Sequence, residues 1–311
     1  MANRQAVPGW MVALVVCAAT AATANQDGAE SVFREYDALP KTTTLAEYDR
    51  FIATHKALLT ASARPYGPAL MWALEFERAA AAMALLRAGV AVPYGAVALA
   101  ARGGLDDIIP LLLARGASAS DRDAALLSAA KYGHGSTLRL LLTMGAKVEF
   151  AAPNDGFTPL HVAVMDRRIE AIRVLLAASA PLEAPDHNGK TPLAWGPFAY
   201  MPQEKHIYQK LGQPHDTVSA DAGEAEAITL LLDAGANLET TDQEGNTPLH
   251  HAVMLGSVRG AEALLSHGAK VNVKNRSGQT PLSLAKTRKN SAMTELLSRK
   301  PSRTNKPKPA P

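Results

Sequence analysis

The sequence predicts an all-α solenoid of about seven helix-pair units, with short β-hairpin fingers in its C-terminal half. Three observations carry this. A Thr-Pro-Leu element recurs at Thr158, Thr191, Thr247 and Thr280, each time with a glycine two residues earlier: Gly156, Gly189, Gly245 and Gly278. A Leu-Leu pair one helix further on begins at Leu85, Leu112, Leu141, Leu175, Leu231, Leu264 and Leu296, and its recurrence sets the count of units. Aromatic residues make up only 5% of the chain, so the interior is built from Ala and Leu, which suits thin helices packed side by side. One such unit cannot cover its own apolar faces, and recurrence is what supplies the neighbour that does.

Each unit justifies its own boundaries. Between Asp242 and Asn275, Thr247 stands as a cap and Pro248 takes the first helical turn, where its missing N–H costs nothing. Leu249 and Ala252, then Ala261 and Leu264-Leu265, place apolar residues at helical spacing on two short helices, and Gly256 parts them. Gly268 closes the second helix, and residues 269–278 return the chain to the next unit as an extended finger with a turn at Asn275 to Gly278. The first and last pairs of Thr-Pro-Leu elements are each 33 residues apart, whereas the middle pair is 56 apart, one repeat plus 23 inserted residues.

This stretch, Thr247-Pro248-Leu249-His250 with Gly245, Ala252, Gly256, Leu264-Leu265 and Gly268-Ala269, resembles the ankyrin repeat. The resemblance implies that His161 and His250 hydrogen-bond within and between neighbouring repeats. It also implies that finger turns and first helices line a concave, partner-binding groove.

Ahead of the array, residues 1–24 read as a secretory signal: a weakly basic start, an apolar run from Trp10 to Ala19, and Ala22-Thr23-Ala24 before a polar stretch. Cleavage near Ala24 is expected, giving a periplasmic or secreted protein, and the alanine-rich, short leader suggests a bacterial cell. Cys17, the single cysteine, lies in this leader, so the mature chain carries no disulfide, thiol nucleophile or cysteine metal site. Residues 25–66 are expected to cap the array, with capping-box spacing at Asp27/Glu30 and Thr44/Glu47. The array proper spans 67–298, its third unit running from Ala124 to Ala146 and its fifth interrupted by an insertion over 197–223. A basic, proline-rich tail over 299–311 has no apolar periodicity and reads as disordered. The formal charge of +3 comes from that tail and Arg4. Residues 25–298 carry −3, so no nucleic-acid-binding body is expected.

No catalytic fingerprint is present: neither H-E-x-x-H, P-loop, G-x-S-x-G nor a dinucleotide motif occurs. His250 and His251 diverge by about 100° on a helix and cannot chelate one ion together. No enzyme activity, cofactor, metal or small-molecule substrate is expected. A metal-dependent enzyme would need Glu204, His206, His215, Asp216 and Asp221 of the insertion to converge, and their spacing fits no ligand pattern.

What remains is a surface for another protein, on a monomer that could touch a membrane only through its basic tail. The pair before each helix-breaking position gives Lys131-Tyr132, Met165-Asp166, Phe198-Ala199 and Met254-Leu255, an apolar stripe of the composition that interface centres favour. The finger turns add Phe157, Asp186, Asp242 and Glu244, an acidic balance suited to a basic rim. Tyr200 and Tyr208 of the insertion complete the candidate contacts. The expected partner is an exported enzyme or toxin to which the protein is accessory, inhibitor or immunity factor. The alternative is a structural adaptor at the cell envelope.

Overall fold

The computed structural model describes residues 32, 35, 38–40, 43–60, 69–197 and 217–299, and every described regular element is an α-helix. The signal sequence, Phe198, Tyr200, Tyr208 and the proline-rich stretch after Arg299 lie outside the described residues. The contacts divide the chain into two units, one holding the residues up to Ala129 with Arg139–Ala146, the other Ala130–Leu138 with the residues from Lys147 on.

In the first unit, helix α1 (Leu45–Thr60) starts with the expected reciprocal cap. The Thr44 N–H donates to Glu47 Oε2 at 2.7 Å and the Glu47 N–H to Thr44 Oγ1 at 3.4 Å. Helices α2 (Ala69–Glu75) and α3 (Ala79–Arg87) form a packed pair, as do α4 (Ala96–Arg102) and α5 (Ile109–Ala114), with α1 against α3 and α2 against α4. Leu70, Leu74, Leu85, Ile109 and Leu112 are fully buried between them. Arg78 ties the leading segment down, donating to the Leu39 carbonyl at 2.6 Å and to Tyr48 Oη at 3.3 Å, with its guanidinium 4.5 Å from the Trp72 ring centre. Helix α6 (Ala119–Tyr132) begins earlier than the apolar pattern from Ala124 suggests. Ser118 Oγ accepts from the Asp121 N–H at 3.1 Å, and Asp121 Oδ1 takes the Gly95 N–H at 2.8 Å, so polar residues outside the pattern start this helix. Helix α7 (Gly135–Thr143) follows.

The second unit repeats one module. Helices α8 (Pro159–Met165) and α9 (Ile169–Ala177), α12 (Pro248–Leu255) and α13 (Val258–Ser266), and α14 (Pro281–Thr287) and α15 (Ser291–Ser298) are packed pairs. Helix α10 (Pro192–Trp195) lies between α8 and α12, and α11 (Thr217–Asp233) between α9 and α13. The first helices therefore make one row, α8, α10, α12, α14, and the second helices another, α9, α11, α13, α15. Leu160, Ile172, Leu175, Leu231, Leu249 and Leu264 fill the space between the rows, each at most 1% exposed.

Two expectations need correcting here. The fingers are not β-hairpins: among the described residues no strand forms, and each finger is a tight turn closed by two backbone bonds, such as Asp242 N–H to the Asn246 carbonyl at 3.1 Å and Gly245 N–H to the Asp242 carbonyl at 3.0 Å. Adjacent turns are joined by one further bond apiece, from His187 N–H to the Asp155 carbonyl, Gln243 N–H to Asn188, and Arg276 N–H to Glu244. So few bonds per finger do not make a ladder. The insertion is also shorter at its C-terminal end than 197–223, because α11 already runs from Thr217. After Pro214 the alanine-rich sequence holds no proline to stop it.

Candidate functional site: the first-helix row and the finger turns

Each first helix of the second unit enters through its Thr-Pro pair. Thr158 and Thr247 accept from the N–H of the third helical residue, and His161 and His250 return the bond: their Nδ1 atoms accept from the Thr158 and Thr247 N–H, both at 3.1 Å. At the far side of the ring, His161 Nε2 lies 3.1 Å from the Lys190 carbonyl and His250 Nε2 lies 3.0 Å from the Gln279 carbonyl. A backbone N–H can only donate and a carbonyl can only accept, so both rings are neutral with the proton on Nε2. Burial lowers the pKa of each, in keeping with that state. These histidines lock one repeat to the next.

The fifth unit lacks this histidine. Its cap, Thr191, is followed by Pro192-Leu193-Ala194, so the third helical residue offers nothing, and Thr191 Oγ1 is buried without a hydrogen-bond partner. Trp195 compensates on the next position, donating from Nε1 to Asp186 Oδ2 at 3.0 Å. The residue in that same position of the sixth unit, His251, lies with Nε2 3.0 Å from Asp242 Oδ2.

Those bonds correct the sequence reading of two acidic turn residues. Asp186 and Asp242, expected as rim charges for a partner, are 4% and 9% exposed and face inward. Asp186 Oδ1 accepts from the Asn188 N–H at 2.7 Å and the Lys190 N–H at 2.9 Å. Asp242 Oδ1 accepts from the Glu244 N–H at 2.9 Å and the Asn246 N–H at 2.8 Å. A carboxylate five residues ahead of the helix cap is in reach of several free N–H groups, and satisfying them outweighs exposure to solvent. Glu244 does remain exposed.

Of the apolar candidates, Tyr132 is 43% exposed at the end of α6, while Met165, Met254 and Leu255 are half-buried at the C-terminal ends of α8 and α12. Met165 and Met254-Leu255 close two first helices of one row, α8 and α12, with α10 between them. Asp166 is half-buried beside Met165, and burial raises its carboxyl pKa against the opposing pull of Lys131 and Arg168. Arginines from the turn that leaves a neighbouring first helix finish such ends: Arg168, after α8, donates from Nε to the Lys131 carbonyl at 2.8 Å, and Arg288, after α14, from Nη1 to the Met254 carbonyl at 2.9 Å. Phe157 is half-buried against Trp195, ring centres 5.2 Å apart edge to face, with Lys190 Nζ 4.7 Å from the Trp195 ring centre. Trp195 has no place among residues chosen by interface composition, although a tryptophan where other units carry Val162, His251 and Leu284 was visible in the sequence.

On the other edge, Glu224 is 3% exposed, accepts from Ser257 Oγ, and lies 3.5 Å from Arg167 Nη2, so one carboxylate ties three consecutive units. An open cleft of about 480 Å³ lies beside it, lined by Leu255, Ser257, Arg259 and Glu262. No group of three or more His, Cys, Asp or Glu among the described residues is placed to hold a metal ion, and no described helix is long and apolar enough to cross a membrane.

Repeated helix pairs with a half-apolar row of helix ends, and no assembled reactive group among the described residues, define a helix-repeat protein of the kind that recognises other proteins. The family model for ankyrin repeats (3 copies) matches residues 97–188 and 215–307, and the chain belongs to the ankyrin repeat family. It is similar to human ankyrin repeat and SOCS box protein 16, with 30% identity over 61% of this chain and 46% of that protein. It is also similar to the mouse B-cell lymphoma 3 protein homolog, 32% identical over 48% of this chain and 36% of the relative. With the mouse nuclear factor NF-kappa-B p105 subunit it shares 32% identity over 49% of this chain and 14% of that protein. The chain thus spans less than half the length of each of these relatives.

Proposed function

We propose that this protein is an exported, bacterial periplasmic ankyrin-repeat protein of seven helix-pair units, acting as accessory or inhibitor of an exported enzyme or toxin. The observation that carries the binding role is the set of first-helix C-terminal ends, where Tyr132, Met165, Met254 and Leu255 offer apolar surface in three of the units. Family membership supports a protein partner and a non-enzymatic role. The leader with Ala22-Thr23-Ala24 supports export.

Two measurements test the reading. N-terminal sequencing of the native protein should begin at Asn25, and an intact Met1 would refute export. A pull-down from envelope extract should retain one stoichiometric partner with the wild type and lose it when Tyr132, Met165, Met254 and Leu255 are all made polar. Retention of the partner by that variant would refute the assigned surface. If neither protein retains a partner, the envelope-adaptor reading takes its place.

A further inference from the structure

Charge in the second unit is sorted by repeat. Between Asp221 and Glu262 the sequence carries eight carboxylates and one cation, Arg259, whereas between Lys270 and Arg299 it carries seven cations and one carboxylate, Glu295. That single carboxylate is taken by Arg299, at 2.8 Å. Lys270, Lys274, Arg276, Lys286, Arg288 and Lys289 are all exposed, and none forms an ion pair with a described residue. One cation near the end of α14 is accounted for locally, since Arg288 caps the Met254 carbonyl. Lys274 and Arg276 on the finger, and Lys286 and Lys289 at the helix end, have no such duty. A terminal repeat needs a polar outer face, but solubility is served by interspersed signs, and a one-sign field on one repeat repels itself.

We propose that the last repeat docks on a membrane surface rich in anionic lipid headgroups. Clusters of four to eight lysines and arginines are the size that anionic headgroups retain. Residues 270–311 contain no Phe, Tyr or Trp, so the patch can neutralise phosphate but has no platform on which to stack bases. The tail beyond it adds Lys300, Arg303, Lys306 and Lys308 in the sequence. The choice of lipid over nucleic acid rests on the export reading, because an exported chain meets headgroups.

The test uses the full mature chain and co-sedimentation with phosphatidylcholine vesicles, with or without phosphatidylglycerol. Binding should require phosphatidylglycerol and weaken steeply as salt is raised. Changing Lys274, Arg276, Lys286 and Lys289 together to alanine should lower the affinity by at least about 30-fold, each cation near such a surface being worth about a factor of several. All four side chains are exposed, so an unchanged thermal midpoint would show that the fold is kept. Deleting residues 300–311 should leave binding that the four alanines still abolish. Binding to neutral vesicles, a four-alanine variant that binds like the wild type, loss of all binding with the tail alone, or tighter binding to duplex DNA than to vesicles would each overturn the proposal. Because the assay uses purified protein, its failure is separate from failure of export, which the N-terminal sequence decides.

Discussion

His251 Nε2 lies 3.0 Å from Asp242 Oδ2, and both side chains are only 4% exposed. Hydrogen bonds from Asn246 and Glu244 and the neighbouring His251 hold the Asp242 pKa down against burial. Burial, aided by Lys190, takes His251 down to about 4. The pair is therefore a neutral imidazole donating to a carboxylate, and Asp242 carries the positive ends of two turn amides as well.

Stability should fall on mild acidification. The unfolded His251 takes up a proton near its ordinary value, while the folded one resists until about 4, so stability present at neutral pH is lost as pH falls between those limits. His161 and His250, both lowered by burial, add in the same direction. The combined loss should reach a few kcal/mol, because each tenfold drop in a ring's proton affinity on folding is worth about 1.4 kcal/mol. Thermal midpoints should drop between pH of about 7.5 and about 5, and His251→Gln, which can still donate to Asp242, should flatten the slope. A midpoint independent of pH over that range would contradict the neutral tautomers assigned to all three rings.

The missing reciprocal bond at the Thr191 cap should be repairable. In the last unit Ser283 returns the cap bond that histidine returns elsewhere, accepting from the Thr280 N–H at 2.8 Å. Ala194→Ser puts the same group in the same position of the fifth unit and should stabilise the protein by about 0.5–1 kcal/mol. Urea titration would show it as a raised midpoint with unchanged slope.

Glu224 should be among the costliest polar positions. Replacing it by Ala leaves Arg167, whose side chain is 12% exposed, without this counter-charge, and removes the acceptor of the Ser257 hydroxyl. A loss of about 3 kcal/mol is expected. The change should appear as earlier unfolding of the helices from Thr217 on in hydrogen exchange, and a loss under about 1 kcal/mol would mean that the carboxylate is not the tie.

Two finger glycines in the same left-handed conformation should respond differently. At Gly245, φ +78°, an added Cβ would come 2.9 Å from the Arg276 backbone nitrogen, whereas at Gly278, φ +74°, nothing lies within 4 Å. Gly278→Ala should cost only the conformational term, about 1 kcal/mol, and Gly245→Ala at least about 2 kcal/mol. Equal costs would show that adjacent fingers are not in backbone contact.

The repeat is legible in the order of residues alone: Thr-Pro starts, glycine stops and Leu-Leu pairs act within a few residues of their own helix, so local physics sets them and the pattern recurs visibly. The candidate pairs Lys131-Tyr132, Met165-Asp166 and Met254-Leu255 follow from the same register, since each closes a first helix. Which way the turn carboxylates face follows from packing instead, because Asp186 and Asp242 are drawn inward by N–H groups and by Trp195 and His251 that their own residue type does not announce. The early start of α6 at Ala119 and of α11 at Thr217 likewise lies beyond apolar spacing, which carries no record of caps or of polar helical turns. The tie among Arg167, Glu224 and Ser257 joins residues up to 90 positions apart across the insertion, and nothing short of the stacked helices brings those three groups together.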